Sequence, residues 1–336
     1  MVFNRGKIIP IAILMVVIVD LAVAAYAVLK GPIPVRVTLG TPMAYKNIYI
    51  HVPIAISTYI VFIGALVSSI LYLRRGNESY ISLADSYVKY GIMFGAATLV
   101  TGSAWASESW GVAWNWDPKQ TAVLLLFLSY LAYFPLKSSI ADPDRANRVG
   151  AAYAIAAFVM VPISFLASRV LESLHPTGEA IVEFAGGGRG GILLGLRILL
   201  LISIAATLPM LYARGSVKVP KTIPLAILVA GVLVAGYTYY PIVTGDSARV
   251  VDATTTSDGR ITSITLSTGE TIDFDRPINS PINPPLTDDG QSTLIGHLVR
   301  VNGDGVEILY HWSTPFAFIV YVILLSVSLY MLGGRR

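Results

Sequence analysis

Eight long apolar runs, separated by short polar breaks, dominate the hydropathy pattern of the chain. A helix needs about 20 residues to cross the roughly 30 Å hydrocarbon core of a bilayer, and these runs are of that order. The pattern predicts an all-α polytopic membrane protein with about eight transmembrane helices. The predicted spans are residues 8–29, 48–73, 88–106, 121–137, 149–168, 191–213, 222–243 and 314–333.

The segment 244–313 has a different pattern. "RITSITLSTGETIDF" alternates in polarity and carries turn signals at Asp258-Gly259 and Thr268-Gly269, which favours a hairpin. "TLIGHLVRVNGDGVEILYHW" predicts a second hairpin, and the Pro-rich "RPINSPINPPL" between them predicts a loop. We therefore expect a small external β module of four or five strands between the last two spans.

These elements divide the chain into four parts. The first apolar run is too long for the core of a signal peptide and has no small-residue cleavage site after it, so it is expected to be a retained span. We expect a six-span core with a Trp-rich outer loop at 105–121. The four parts are the core at 1–213, a linker with the seventh span at 214–243, the β module at 244–313, and the eighth span with the chain end at 314–336.

Basic residues cluster on one side of the predicted membrane, close to the ends of the spans. The positive-inside rule places such residues in the cytoplasm. For a protein of the cell membrane, the rule therefore predicts that both termini are cytoplasmic. The segments predicted to face outward are 30–47, 107–120, 169–190 and 244–313. The twelve basic residues are Arg5, Lys7, Arg74, Arg75, Lys137, Arg145, Arg148, Arg214, Lys218, Lys221, Arg335 and Arg336.

The composition supports the membrane class and excludes several functions. Hydrophobic residues make up 54% of the 336 residues and charged residues 13%, about half the charged share of an ordinary soluble domain. The formal net charge of +4 comes without a Lys/Arg run, so we expect no nucleic-acid partner. The absence of cysteine excludes disulfides, thiol redox chemistry and thiolate metal ligands within this chain.

All four histidines of the chain, His51, His175, His297 and His311, fall in segments that are predicted to face outward. Histidine is a metal ligand and a proton carrier rather than a routine membrane residue. His51 begins the second span, with Pro53 expected in the first helical turn, where proline is tolerated. Each histidine taken alone is also compatible with a polar anchor at the membrane interface.

The stretch "SWGVAWNWDPKQT" at 109–121 holds three of the five tryptophans of the chain. Interfacial tryptophans usually form a belt spread over many helix ends, whereas here they are concentrated in one loop together with glycine, proline and charged residues. Indole rings near imidazoles suit a large flat ligand with a metal at its centre. Porphyrin is such a ligand, since its iron takes axial histidines and its propionates take Lys, Arg or amide donors.

Three motifs resemble one family. "WGVAWNWDPKQT" is similar to the W-G-x-x-W-x-W-D signature of the cytochrome c assembly family, whose members handle heme on the outer face of the membrane. "IYIHVPIAIS" resembles the first histidine motif of the heme exporter protein C (CcmC) branch, and "SLHPTGEA" falls where the second outer histidine is expected. The preceding "TGSAW" also matches. The resemblance covers roughly residues 1–213.

The resemblance implies a binding site for a b-type heme that is held non-covalently and transiently. It makes His51 and His175 the axial ligands. Lys119 is a candidate propionate contact because it is the basic residue of the loop, and a solvated interfacial lysine is the alternative. Arg169 and Arg189 are weaker candidates. The implied heme platform consists of Trp110, Gly111, Trp114, Trp116 and Asp117.

The branch of the family, and with it the recipient of the heme, stays open. "WNWDPKQT" is closer to the CcsA-type cytochrome c synthase subunits, whereas "YIHVP" points to the CcmC branch. Expected partners are therefore heme, a CcmE-like heme chaperone or apocytochrome c, and other membrane subunits of cytochrome c maturation. The C-terminal β module lies beyond the six-span core. His297 fits a packed strand position better than a fused chaperone, and His311 fits an interfacial position better than a heme contact.

The resulting functional hypothesis is heme binding at the outer face and handover to a chaperone. Handover is ligand exchange, so an enzymatic role is expected only in the alternative, direct attachment of heme to apocytochrome c. The "GGGRGG" at 186–191 follows no strand and fails as a dinucleotide motif. An electron-transfer subunit would carry its histidines inside spans. A transporter would need buried ionisable residues, of which Arg197 is one of few.

Overall fold

A computed structural model describes most of the chain as helices followed by a small sheet and a last helix. The described residues are 5–32, 44–177, 181, 188–215, 217, 219–243, 247–281, 285–286, 290–302, 305–309 and 312–334. The helices in them are α1 (Arg5–Lys30), a 3-10 turn (Ala44–Asn47), α2 (Ile48–Arg75), α3 (Glu78–Ser109), α4 (Pro118–Leu131), α5 (Tyr133–Ser138), α6 (Pro143–Ala157), α7 (Met160–Val170), α8 (Gly188–Arg214), α9 (Thr222–Val243) and α10 (Ser313–Gly334).

Seven helical segments in the described part of the chain are long and apolar enough to cross a membrane. They are Ile11–Lys30, Ile48–Arg75, Pro118–Ser138, Pro143–Val170, Gly188–Arg214, Thr222–Tyr240 and Ser313–Gly333. The predicted number of about eight is not confirmed. The predicted span 88–106 lies within α3, which carries Lys89 and many hydroxyl side chains and packs against α2, α8 and α10 rather than presenting a uniformly apolar surface. The chain is a multi-pass membrane protein.

The helices share one hydrophobic core. Buried apolar side chains from α1, α2, α3, α4, α6, α7, α8, α9 and α10 form a continuous cluster. The central helices are α2 and α3, and α2 also packs along α8, while α9 pairs with α10. Stacked rings of Phe62 and Tyr130, with centroids 3.8 Å apart, join α2 to α4 inside this core.

Helix α2 departs from the sequence expectation at its start. The sequence places Pro53 in the first helical turn, but α2 begins at Ile48 and follows directly on the 3-10 turn, so Pro53 lies inside the helix. The expectation was wrong because the helix begins at the same residue as the predicted span 48–73, which makes Pro53 its sixth residue and places it beyond the first turn. The missing N–H of Pro53 therefore removes a helical hydrogen bond.

The predicted β module is a five-stranded antiparallel sheet in the described residues. The strands are β1 (Ala248–Thr255), β2 (Ile261–Leu266), β3 (Thr271–Ile278), β4 (Leu298–Asn302) and β5 (Gly305–Ile308), in the order β3-β2-β1-β4-β5. Both predicted hairpins are present, as β2–β3 and β4–β5. His297 lies immediately before β4 rather than within a strand, and its side chain is completely buried. His311 lies outside the described residues.

The start of α2, the end of α3 and the starts of α4 and α10 meet at one end of the helical bundle. Asn47 donates to the Thr101 carbonyl over 3.1 Å, and both the backbone N–H and the hydroxyl of Ser313 donate to the Glu108 carboxylate. The opposite end holds a separate set of contacts, among them the 2.7 Å ion pair between Lys137 and Asp85. The described parts of the predicted outer loops of the core lie at this end of the bundle.

Candidate porphyrin-binding site

A cavity of about 350 Å³ opens at this end of the bundle, between α2, α3, α4, α7, α8 and the segment after α7. Its size falls in the range of ligand pockets, about 300–1,000 Å³, and its wall is mainly apolar and aromatic, as is usual for such pockets. The polar and aromatic residues of the wall include His51, Tyr59, Thr98, Trp105, Trp110, Trp114, Lys119, Gln120, Phe165, Arg169 and His175.

His51 enters the cavity from α2 and is held by α3. Its Nδ1 lies 2.9 Å from Oγ1 of Thr101, whose hydroxyl donates its proton to the Ala97 carbonyl over 2.7 Å. With the Thr101 proton directed to the Ala97 carbonyl, we assign the Nδ1 proton of His51 to the bond with the Thr101 oxygen. The other nitrogen, Nε2, is then unprotonated and able to bind a metal.

Helix α3 approaches the His51 ring closely at Gly102. A Cβ at this position would lie 2.8 Å from Cε1 of His51, a distance that real Cβ contacts essentially never show. The glycine therefore makes room for the imidazole, and the neighbouring Thr101 orients it. Both residues belong to the "TGSAW" stretch.

His175 comes from the non-helical segment after α7 and lines the same cavity. Its Nδ1 lies 2.9 Å from the Pro176 carbonyl oxygen. A carbonyl only accepts, so this Nδ1 also donates, and Nε2 again carries the lone pair. Burial lowers the pKa of His175 to about 4, which keeps the imidazole neutral near pH 7. The two histidines thus reach one cavity in the same tautomer.

The tryptophans divide into two groups. Trp105, Trp110 and Trp114 line the cavity. Trp105 meets Trp110 edge-on at 5.2 Å between centroids and lies 6.2 Å from the His175 ring. Trp116 packs edge-on against Trp114 at 5.7 Å but is 70% exposed. Its φ of 61° is left-handed, which is uncommon for a bulky residue. Three indoles therefore line the cavity, and the fourth, Trp116, lies on the solvent-exposed side of Trp114.

Asp117 connects the Trp-rich loop to the segment of His175. Its carboxylate caps α4 by accepting from the Lys119 backbone N–H at 2.9 Å. It also accepts from the Ser173 hydroxyl at 2.9 Å and from the Leu174 backbone N–H at 2.8 Å. The Ser173 hydroxyl in turn accepts from the His175 backbone N–H at 3.1 Å. We call this set of contacts the Asp117 clamp.

The loop glycine and the basic residues take different positions. Gly111 has a φ of 78°, which allows the chain to turn directly after α3. Lys119 lines the cavity, and its Nζ donates to the Ser164 carbonyl at 2.6 Å. Arg169 is exposed and also lines the cavity. Four other candidates from the sequence do not line the cavity as the structure describes it. They are Gly111, Trp116, Asp117 and Arg189.

Sequence reasoning omitted several residues that shape the site. Trp105, Tyr59 and Phe165 line the cavity, while Thr101 and Gly102 orient and accommodate the His51 ring. Only the "TGSAW" stretch carried a signal, because it resembled the family pattern. No group of three or more His, Cys, Asp or Glu side chains that could hold a metal ion occurs in the described residues. Two imidazoles over an aromatic wall suit the axial positions of a porphyrin metal better than a bare ion.

Comparisons with known proteins identify a family and several similar proteins. The model of the family "Cytochrome C assembly protein" matches residues 2–175. Heme exporter protein C of Rhodobacter capsulatus is 35% identical over 113 residues, 34% of this chain and 46% of that protein. The Paracoccus denitrificans protein of the same name is 34% identical over 112 residues, 32% of this chain and 46% of that protein. For Escherichia coli K12 heme exporter protein C, the identity is 28% over 136 residues, 39% of this chain and 54% of that protein.

The family match at residues 2–175 includes most of the residues that line the cavity. The chain spans about half the length of the curated relatives that it matches. The family match covers just over half of the 336 residues and includes both histidines and the whole Trp-rich loop. It is reinforced by the relatives' identity of about one third. The chain therefore belongs to the cytochrome c assembly protein family and is similar within it to heme exporter protein C.

Proposed function

We propose that this protein binds heme in the cavity and hands it over during cytochrome c maturation. The observation that carries the proposal is the pair of imidazoles, His51 and His175, which line one cavity and whose Nδ1 atoms each lie 2.9 Å from a hydrogen-bonding oxygen. The same tautomer at both positions supplies two axial ligands for one iron. Relatives named heme exporter protein C support heme as the cargo.

The heme lies on the outer face of the cytoplasmic membrane in this proposal. The basic residues that flank the spans, such as Arg74, Arg75 and Lys137, lie at the opposite end of the bundle from the cavity. By the positive-inside rule that opposite end, together with both termini, is cytoplasmic. The β module between α9 and α10 is then external.

The propionates face Lys119 and Arg169. Both line the cavity, but their surroundings differ. The Lys119 ammonium already donates to backbone carbonyls of α7, at 2.6 Å to Ser164 and 3.3 Å to Phe165. Arg169 is exposed at the end of α7 and can pair with a carboxylate in two-pronged geometry. Trp110 and Trp114 cover the apolar part of the ring.

Handover follows from the different supports of the two ligands. His51 sits in a long helix with its ring packed on α3, whereas His175 sits in a short irregular segment held by the Asp117 clamp. Opening that segment removes one axial ligand and leaves the other in place. The released position on the iron is then available to a histidine or other ligand on a heme chaperone or on apocytochrome c. The heme thus changes ligands one at a time and is never free in solution.

Purification in detergent with absorption spectroscopy tests the proposal. The parent is expected to show the low-spin spectrum of bis-imidazole heme. His51→Gly and His175→Gly are each expected to lose it and to regain it on addition of free imidazole. His297→Ala removes a histidine that precedes β4, outside the cavity wall, and serves as the control, which should keep the parental spectrum. Heme that binds with the same spectrum in all four proteins would refute the axial assignment.

The recipient is tested by mixing the heme-loaded protein with a soluble heme chaperone or with an apocytochrome c. Transfer to the chaperone supports the CcmC-like role, and covalent attachment to the apocytochrome without the chaperone supports the synthase alternative. Retention of heme in the presence of both would contradict handover as the function.

A further inference from the structure

The helix that carries His51 lacks one of its own hydrogen bonds. In an α-helix each backbone N–H donates to the carbonyl four residues earlier. Pro53 lies inside α2 and has no N–H, so the Tyr49 carbonyl loses its helical donor. An unpaired carbonyl at this depth in an apolar bundle is costly. The defect lies in the turn that presents the His51 ring to the cavity.

A buried arginine from another helix supplies the missing donor. Nε of Arg197 on α8 donates to the Tyr49 carbonyl at 3.2 Å. The Arg197 side chain is completely buried. Its neighbours on α8, Leu194 and Ile198, line the cavity. The guanidinium therefore lies behind the cavity wall and contacts the backbone two residues before His51.

The charge of Arg197 is balanced inside the bundle. Nη1 forms an ion pair with the Asp20 carboxylate on α1 and donates to the Tyr321 hydroxyl on α10 at 3.3 Å. The Tyr321 hydroxyl donates to the other carboxylate oxygen of Asp20, and its ring lies 4.6 Å from the guanidinium carbon. All three side chains are fully buried. The cluster thus joins α1, α8 and α10 to the start of α2.

Stability alone does not account for such a cluster. Replacing a buried ion pair by apolar residues of similar volume is often neutral or stabilising, by about 1–4 kcal/mol. Ionisable residues in membrane helices generally have a functional task. Here Arg197 also donates a hydrogen bond to a residue outside the cluster, on α2. The acceptor is the Tyr49 carbonyl, which has no helical donor because of Pro53.

We propose that Arg197 is a positioning residue for His51, and that Asp20 and Tyr321 are the residues that orient Arg197. The Arg197–Tyr49 bond replaces the backbone bond lost at Pro53 and fixes the turn that aims the imidazole. This inference rests on the proposed function, since it assigns the cluster to the ligation of heme by His51.

A set of compensating variants tests the inference. Asp20→Leu combined with Arg197→Met removes both charges together and leaves neither one buried alone. The double variant is expected to fold, to insert and to elute as the parent does. Its ferrous heme should bind carbon monoxide about tenfold faster, because the His51 ligand dissociates more often. Adding Pro53→Ala restores a backbone N–H for the Tyr49 carbonyl and should return the rate to near the parental value.

One control and one further variant separate positioning from general destabilisation. The matched ion pair of Asp85 and Lys137 lies at the other end of the bundle, so Asp85→Leu with Lys137→Met should leave the carbon monoxide rate unchanged. Tyr321→Phe keeps both charges and should raise the rate in the same direction by a smaller factor, which provides a test even if the double variant fails to fold.

Two outcomes would overturn the inference. One is a parental rate in the double variant, or in Tyr321→Phe if the double variant does not fold, and the other is a triple variant no closer to the parent than the double variant. Failure of the proposed function itself is recognised separately, because His51→Gly would then keep the parental heme spectrum.

Discussion

The contacts of the Asp117 clamp allow us to predict how much a single substitution speeds the release of His175 from the heme iron. The Asp117 carboxylate accepts three hydrogen bonds, one from the start of α4 and two from the segment that carries His175. Asp117→Asn keeps the size of the side chain and its capping ability, since Asn and Asp are equally good N-cap residues. It removes the negative charge and places an NH₂ group against at least one donor of the segment.

The magnitude follows from the two bonds to the segment. Hydrogen bonds to charged groups contribute about 1.5–3 kcal/mol, against about 0.5–1.5 kcal/mol for neutral pairs. Losing the charge on two such bonds costs roughly 2 kcal/mol in the closed state of the segment. Since about 1.4 kcal/mol corresponds to a factor of ten, the open state is expected to become about 30-fold more populated.

Carbon monoxide binding to the ferrous heme complex measures this opening. In a protein with two imidazole ligands, carbon monoxide binds only after one of them leaves, so the rate at saturating gas reports ligand dissociation. Asp117→Asn should raise that rate about 30-fold. Glu172→Gln makes the same change of charge at an exposed position in the same segment and should leave the rate unchanged.

A second background tests the assignment to His175. In His175→Gly supplied with free imidazole, the ligand is no longer attached to the clamp, so Asp117→Asn should have no further effect on the rate. A parental rate in Asp117→Asn alone, or an equal acceleration in the imidazole-supplied background, would refute the role of the clamp.

Three further predictions concern the surroundings of the ligands. Gly102→Ala places a methyl group 2.8 Å from Cε1 of His51; overpacking of this kind costs about 1–3 kcal/mol, and the low-spin fraction of bound heme should fall at least severalfold in the absorption spectrum. Thr101→Val removes the acceptor of the His51 Nδ1 proton, which makes the imidazole a weaker donor and should raise the heme reduction potential in a redox titration; an unchanged potential would contradict the tautomer assignment. Lys119→Met and Arg169→Met should each weaken heme binding by about two- to fivefold in equilibrium titration, as expected for partly exposed charge pairs, and the loss should vanish with heme dimethyl ester, whose propionates carry no charge.

Much of the architecture is predictable because it depends on short stretches of sequence. The apolar runs, the turn residues around the two hairpins and the position of the Trp-rich loop between α3 and α4 all follow local rules. The span at 88–106 was the exception. Its helix, α3, is packed among other helices and carries polar side chains such as Lys89, so it does not appear among the seven segments that are recognisable by length and apolarity alone, and the predicted number of spans is not confirmed.

The site shows the same division. His51, His175, Trp110, Trp114 and Lys119 were candidates from the sequence, and all of them line the cavity. Their chemistry is a property of each residue type and of its motif, which a sequence displays directly. That these residues bind heme in the cavity is a prediction, which the absorption spectroscopy described above tests.

What the sequence by itself determined is the class of the protein, its helical and sheet segments, its family signature and the residue types available at one end of the bundle. Only the tertiary structure showed what Asp117 and Arg197 contact. Asp117 accepts hydrogen bonds from the segment that carries His175, and Arg197 donates to the carbonyl that lacks a helical donor because of Pro53. Both roles depend on donors and acceptors far apart in the chain. A hydrogen bond requires atoms about 3 Å apart, and helix packing, rather than any local pattern, brings such atoms together.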